Sequence, residues 1–295
     1  MTHRLPLRGA AAGGERTLVL GERTLLMGIV NATPDSFSDG GLFLDPAAAV
    51  AHAARLVEDG ADLLDVGGES TRPGAAEVPE EEQLRRLLLV VEGVRERFPA
   101  LPISVDTRSA RVARESVAAG ADLVNDVSGL AHDPAMRATV AELGVPAVVM
   151  HMRGTPADMR GRAEYGDVVA EVVVELRAAL DAARAAGVEH LLADPGLGFA
   201  KTAEQSATLL SATDRLVREL GVPLLVGPSR KSFLALATGR ADADRTGATV
   251  GAATVAALLG AHVLRVHDVA ACRDAVRLAD LAREARRARA SPKAP

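Results

Sequence analysis

The apolar run Leu25-Leu26-Met27-Gly28-Ile29-Val30 leads directly into Asn31-Ala32-Thr33-Pro34-Asp35-Ser36-Phe37-Ser38-Asp39-Gly40-Gly41. The first part reads as a buried strand, and the polar, glycine-containing part reads as a loop at its C-terminal end. The same succession recurs along the chain. Gly67-Gly68-Glu69-Ser70-Thr71-Arg72-Pro73-Gly74, Asp194-Pro195-Gly196-Leu197-Gly198-Phe199, Ser229-Arg230-Lys231 and Arg265-Val266-His267-Asp268 each follow or close another short apolar run. Function therefore collects at one end of the strands.

Working outward, short runs rich in Val, Leu and Ile alternate with longer segments of helical period. The strand runs are residues 25–30, 63–66, 103–106, 123–126, 147–150, 191–194, 224–226 and 263–266. Helices are expected over 46–59, 79–97, 109–119, 134–143, 165–186, 203–220, 244–259 and 269–287. Pro46, Pro79 and Pro134 stand where a first helical turn accepts proline, and Gly60, Gly120, Gly144, Gly187, Gly221 and Gly260 where helices end before the next strand. Eight βα units predict an α/β protein with a closed (β/α)8 TIM barrel in a single domain, the doubly wound open sheet being the fallback. Residues 17–20 and 23–26 flank Gly21-Glu22 and predict a short N-terminal β-hairpin able to cover the bottom of the barrel. The barrel is assigned residues 15–287. Residues 1–14, without periodicity, are expected to be a mobile N-terminal extension, and 288–295 a mobile C-terminal tail.

The net charge of −5, free of long single-sign blocks, leaves no electrostatic footprint for nucleic acid or an anionic membrane. The arginine-rich 283–289 reads as the solvated end of a last helix, whose C-terminus tolerates cations. The most apolar stretch, 251–264, is short of a membrane span and contains His262, and the N-terminus lacks a signal-peptide core. Cys272 is the only cysteine, so no intrachain disulfide and no cysteine zinc cluster can form. A soluble, cytoplasmic protein is expected. With aromatics at 2% and no Trp, the core must be filled by Ala, Val and Leu, which suits helices packed on a parallel sheet.

In a barrel the loops after the strands form the working face, so the residue at each strand's C-terminal end carries the most information. Those ends read Asn31, Asp65, Asp106, Asn125, His151, Asp194, Ser229 to Lys231, and Arg265 with His267. Asp106, Asn125 and Asp194 can donate to and accept from a flat, nitrogen-rich heterocycle, and Lys231 supplies a cation for a carbonyl or ring nitrogen. Taken singly, an Asp before a helix is also an N-cap, and Asn-Asp is also a turn. Met150 and Phe199 fit apolar pocket walls and ordinary core packing equally well. Arg265 and His267, two apart on a strand, point to one face, where a guanidinium beside an imidazole suits a phosphate. A surface Arg with a satisfied His is the plain alternative. The glycines and prolines of 31–41 and 69–75 fit loops that close over a site, while Ser38 and Asp39 by themselves are turn residues.

Together these signatures, in this order from about Leu25 to about Leu281, resemble the dihydropteroate synthase family. The resemblance implies condensation of 6-hydroxymethyl-7,8-dihydropterin diphosphate with p-aminobenzoate to 7,8-dihydropteroate and diphosphate, in folate biosynthesis, by a transferase that sulfonamides inhibit. It implies a pterin pocket of Asp106, Asn125, Met150, Asp194, Phe199 and Lys231, and diphosphate contacts from Asn31, Thr71, Arg72, Arg265 and His267. Asn31 would also meet Mg²⁺, the implied cofactor. Phe37, Thr71, Arg72, Pro73 and Ser229 would make the p-aminobenzoate site. Lys231, Arg265, His267 and Asp35 would be the catalytic set, Asp35 by ordering the loop and the departing diphosphate or the amine. Asp65 is a further strand-end residue without an assigned role. A homodimer is implied, through the late helices. Ala200 departs from the glycine common at that place in the family, and Gly227-Pro228 precedes Ser229; small backbone consequences are expected. A methyltetrahydrofolate:corrinoid methyltransferase would use a similar barrel but has no use for Arg265 with His267 or for Ser70-Thr71-Arg72-Pro73. A non-catalytic pterin-binding paralogue is the other alternative.

Overall fold

The computed structural model describes residues 2–7, 16–32, 45–70, 77–239 and 244–290. Among these residues ten strands run in chain order: β1 (His3–Leu7), β2 (Arg16–Leu20), β3 (Leu25–Asn31), β4 (Leu63–Gly67), β5 (Ile103–Asp106), β6 (Leu123–Asp126), β7 (Ala147–Met150), β8 (Leu191–Asp194), β9 (Leu225–Val226) and β10 (Val263–Val266). β3 to β10 are parallel neighbours in the order β8-β7-β6-β5-β4-β3-β10-β9. The two ends of this row meet at a bridge between Ala193 and Leu224, where the Ala193 N–H donates to the Pro223 carbonyl at 2.9 Å. The sheet thus returns on itself as the expected (β/α)8 barrel.

Alternation along each strand sorts the side chains into two layers. Leu26, Leu64, Val66, Val105, Val124, Val149, Ala193, Val226 and Leu264 face outward and pack under the helices. Leu25, Met27, Leu63, Leu123, Val148, Leu192, Leu225 and Val263 face inward and join Leu5, Leu7, Leu18 and Leu20 of β1 and β2 in a second cluster. That cluster plugs the lower half of the barrel. The next inward positions up are Asp65, Ser104, Asp106, Asn125, Asp194 and Arg265, so the interior turns polar at the mouth.

The hairpin is present, but its strands are β1 and β2, paired from His3 with Leu20 to Leu7 with Arg16, not residues 17–20 with 23–26. Residues 25 and 26 belong to the barrel strand instead. Within the extension expected over 1–14, His3–Leu7 is a strand whose Leu5 and Leu7 are buried in the barrel plug, while 8–14 lie outside the described residues. Arg16 fastens the hairpin to the barrel floor through Asp122, at 2.9 and 3.0 Å, and Arg95 holds the same carboxylate at 2.6 Å.

The helices that separate the barrel strands are α1 (Pro46–Glu58), α2 (Glu80–Arg97), α3 (Ala110–Ala118), α4 (Met136–Leu143), α5 (Val168–Ala185), α6 (Ala203–Ser211), α7 (Thr213–Leu220), α8 (Ala235–Thr238), α9 (Thr246–Leu258) and α10 (Val269–Ala290). Side-chain caps set several starts: Asp45 on the Ala47 N–H, Ser109 on that of Val112, Asp167 on those of Val169 and Ala170. The cap at Asp167 moves the start of α5 inward from residue 165. The single helix expected over 203–220 is two, broken at Ala212 (φ −96°, ψ 14°) with no proline or glycine to announce it. α10 runs on to Ala290, past the boundary expected at 287.

Candidate active site

The polar layer at the barrel mouth is a connected network. Asp65, wholly buried, accepts from Arg265 Nε at 2.6 Å and from Asn125 Nδ2 at 3.0 Å. Arg265 Nη2 donates to Asp106 Oδ2 at 2.7 Å. Asp106 and Asn125 are direct neighbours across β5 and β6. One guanidinium from β10 therefore bridges carboxylates from β4 and β5, and this gives Asp65 the role that the sequence left open: it holds Arg265 and Asn125 in place. Burial pushes the Asp106 carboxyl up to about 7, against the pull of Arg265. The neighbouring charges of Asp65, Asp126 and Glu69 add to the rise.

Asp194, also buried, accepts the Gly196 N–H at 2.7 Å on Oδ1, and burial raises its carboxyl above the usual range. Its other oxygen has no hydrogen bond among the described residues. Gly196 at φ +64° lets the chain fold back here; a Cβ at this place would lie 2.0 Å from the His151 carbonyl oxygen. Lys231 Nζ lies 4.0 Å over the Phe199 ring, a cation–π contact. Burial lowers this ammonium to about 8, partly offset by Asp194 and Asp106. Phe199 packs with Met150, Val127, Met159 and Ala200 as one apolar cluster. Asp106, Asn125, Asp194, Lys231, Met150 and Phe199 are thus presented at one mouth as a half-apolar, half-polar recess. Because burial acts against every charge in it, the recess favours a neutral ligand with fixed donors and acceptors.

His267 Nδ1 lies 3.0 Å from Ser229 Oγ, and the His267 N–H also donates to that oxygen at 3.2 Å. The pair expected from the sequence is therefore divided: Arg265 is bonded into the floor, and His267 is coupled to Ser229. Asn31 ends β3 beside Gly67. Among the described residues no group of three His, Cys, Asp or Glu side chains converges on a metal position. A single amide oxygen fits Mg²⁺ only as a cation that keeps water and substrate phosphate oxygens for most of its shell. Asp35, Phe37, Thr71, Arg72 and Pro73 lie outside the described residues.

The departure noted at Ala200 has a backbone consequence, and two further residues, Lys201 and Arg230, escaped the sequence reading. Ala200 takes φ +47°, so the departure from glycine places a side chain in the left-handed region. Lys201, next to it, is half-buried and packs on His151, which in turn meets Glu175. The signal available was its position two residues after Phe199 inside a strand-end signature. Arg230 at φ +57°, with its N–H on Thr249 Oγ1 at 3.1 Å, fixes the turn that separates Ser229 from Lys231.

Residues 27–267 match the family described as pterin binding enzyme. The chain is 44% identical over 270 residues to the dihydropteroate synthase of Synechocystis sp., covering 90% of this chain and 93% of that one. A solved structure of Xanthomonas albilineans dihydropteroate synthase with 4-aminobenzoic acid superposes with a TM-score of 0.85 at 46% identity, covering 99% of this chain and 100% of the other. Yersinia pestis dihydropteroate synthase in a sulfonamide complex gives 0.86 at 38% identity, with 96% and 100% covered. On its own barrel-mouth geometry and on these matches, the chain belongs to the pterin-binding enzyme family.

Proposed function

We propose that this protein is a dihydropteroate synthase: a transferase that joins 6-hydroxymethyl-7,8-dihydropterin diphosphate to p-aminobenzoate in folate biosynthesis. The observation that carries the reading is that Asp106, Asn125 and Asp194, at the ends of their strands, share one barrel mouth with the Lys231–Phe199 contact, in a barrel that matches dihydropteroate synthases along nearly its whole length. The unbonded oxygen of Asp194 can accept from the pterin's ring N–H and amino group, while Phe199 and Met150 line the ring's apolar surface. Lys231 can donate to the pterin's carbonyl or ring nitrogen.

In the reaction the arylamine nitrogen forms a bond to the pterin's exocyclic CH₂ carbon, and the carbon–oxygen bond to diphosphate breaks. The electron pair leaves with the diphosphate, and the amine gives up a proton. His267 and the outer edge of Arg265 are assigned to the departing oxygens; the Asp65 and Asp106 carboxylates, which accept from that guanidinium, support the assignment by keeping it oriented. Ser229, hydrogen-bonded to His267, is assigned to the carboxylate of p-aminobenzoate. Asn31 would hold Mg²⁺ together with the diphosphate; when bound, the cation supplies charge neutralisation on the leaving group. Sulfonamides, which share an arylamine with p-aminobenzoate, are assigned to the same site.

A homodimer through the late helices is supported by exposed apolar side chains there: Leu278 and Leu281 on α10 are 66% and 63% exposed, and Val255 on α9 is 41% exposed. Among the described residues no helix is long and apolar enough to cross a membrane. A cytoplasmic setting fits the buried thiol of Cys272, which burial pushes up to about 11.

Calorimetry with the pterin diphosphate tests the reading. Asp194→Asn should weaken binding by about 2–4 kcal/mol with the fold intact, because an acceptor pair becomes partly a donor facing donors. Unchanged affinity in the variant would remove the assignment.

A further inference from the structure

Behind the Asp194–Phe199 wall lies a half-buried lysine that the condensation does not use. Lys201 Nζ donates to the Phe199 carbonyl at 2.9 Å and lies 2.9 Å from His151 Nδ1 and 3.4 Å from the His151 carbonyl. Among the described residues no carboxylate is hydrogen-bonded to it. His151 Nε2 is 3.0 Å from Glu175 Oε2. An ionised carboxylate only accepts, so Nε2 carries the proton and Nδ1 presents its lone pair to Lys201. Glu175 is itself held by Arg153, whose guanidinium lies 3.8 Å over the Tyr165 ring and donates to Glu171 at 2.8 Å. The lysine thus stands at the inner end of a chain of oriented partners that starts at the half-exposed Glu175.

Lys201 holds the segment that builds the pocket wall. The His151 N–H donates to the Asp194 carbonyl at 2.9 Å, Gly196 packs directly on the His151 carbonyl, and Lys201 binds the Phe199 carbonyl. Between Phe199 and Lys201 sits Ala200 at φ +47°, a conformation that persists only where its surroundings over-determine it. Burial lowers the Lys201 ammonium to about 7; Asp194 and Glu175 oppose this, while Arg153 and Lys231 add to it.

We propose that Lys201 is a positioning residue for the pterin site, anchored through His151 on Glu175 so that the turn from Gly196 to Phe199 presents Asp194 and the Phe199 ring to the ligand. The proposal rests on the reading of that ligand as a pterin. It predicts a loss confined to one substrate, since the wall it holds is not assigned to p-aminobenzoate.

The test uses steady-state kinetics and calorimetry of the full-length enzyme with 6-hydroxymethyl-7,8-dihydropterin diphosphate. Lys201→Met keeps the aliphatic stem and removes the donors. It should raise the pterin KM and Kd by about 30-fold while the p-aminobenzoate KM and the kcat at saturating pterin move by less than about threefold. Glu175→Gln, remote from the pocket and on the protein surface, lets the amide donate to His151 Nε2 and so frees the Nδ1 tautomer that rejects Lys201. It should raise the pterin KM alone, by about fivefold. Should Lys201→Met fail to fold, Glu175→Gln decides by the same reading. An unmoved pterin KM, or pterin and p-aminobenzoate KM values rising together, would overturn the proposal. A wild-type protein that binds no pterin would overturn the functional reading instead.

Discussion

Replacing Arg265 by Met should destabilise the barrel in a way that depends on pH. The substitution keeps the side-chain stem and removes the one cation that lies 2.6 Å from Asp65 and 2.7 Å from Asp106. Stripping one partner from a buried charge network costs about 3–5 kcal/mol, because the remaining charges lose compensation and stay desolvated. Asn125 keeps one bond to Asp65, and the Arg265 side chain retains 21% exposure, so the low end applies, about 3 kcal/mol. For a chain of this size that is a fall in Tm of roughly 5 °C. Burial already raises Asp106 to about 7 with Arg265 present, and removal of the guanidinium raises it further. A carboxyl whose folded pKa lies above its unfolded one penalises the fold fully above the folded pKa, and the penalty fades as the pH falls toward the unfolded value. The deficit against wild type should therefore be larger at pH 8 than at pH 5.5. Adding Asp106→Asn to the variant should recover part of the loss at pH 8, since it removes the orphaned charge. Urea unfolding of the three proteins at both pH values is the assay. A deficit below about 1 kcal/mol, or one that is independent of pH and unrelieved by Asp106→Asn, would refute the view that Arg265 compensates these carboxylates.

Gly196→Ala should abolish pterin binding and cost about 3 kcal/mol or more, because the added Cβ would sit 2.0 Å from the His151 carbonyl at φ +64°; thermal melting and calorimetry check this, and wild-type affinity would contradict it. His262, whose Nδ1 accepts the Leu224 N–H at 3.1 Å, is held down to about 4 by burial. The unfolded chain takes up that proton first, so this contribution is intact above about pH 6.5 and is lost as the pH falls toward 4. His262→Gln should therefore gain about 2 kcal/mol relative to wild type between pH 7 and pH 5 in urea unfolding; a constant difference would show that His262 does not titrate with unfolding.

Much of this architecture was legible in the sequence because one physical signal repeats. Apolar runs end in polar residues, and strand alternation places Asp65, Asp106, Asn125, Asp194 and Arg265 on the inner face once eight parallel strands are closed. The partners inside that layer were not legible. Pairing Arg265 with Asp65 and Asp106, 200 and 159 residues away, depends on the register of β10 beside β3 and on side-chain reach across the barrel, neither of which leaves a local trace. The hairpin was misplaced for a related reason. Leu5 and Leu7 resemble tail residues until the empty bottom of the barrel is there to receive them. Lys201 has no such trace because a lysine in a loop reads as solvated, and only the fold shows it half-buried and turned onto His151.

The central claim is tested most directly by product formation. Purified protein is incubated with 6-hydroxymethyl-7,8-dihydropterin diphosphate, p-aminobenzoate and Mg²⁺, and 7,8-dihydropteroate and diphosphate are measured together. Both products are expected in equal amounts, with loss of turnover in chelator and recovery on adding Mg²⁺, and with competition between a sulfonamide and p-aminobenzoate. Tight pterin binding without either product would contradict it, and would mark the chain as a pterin-binding protein that performs no condensation.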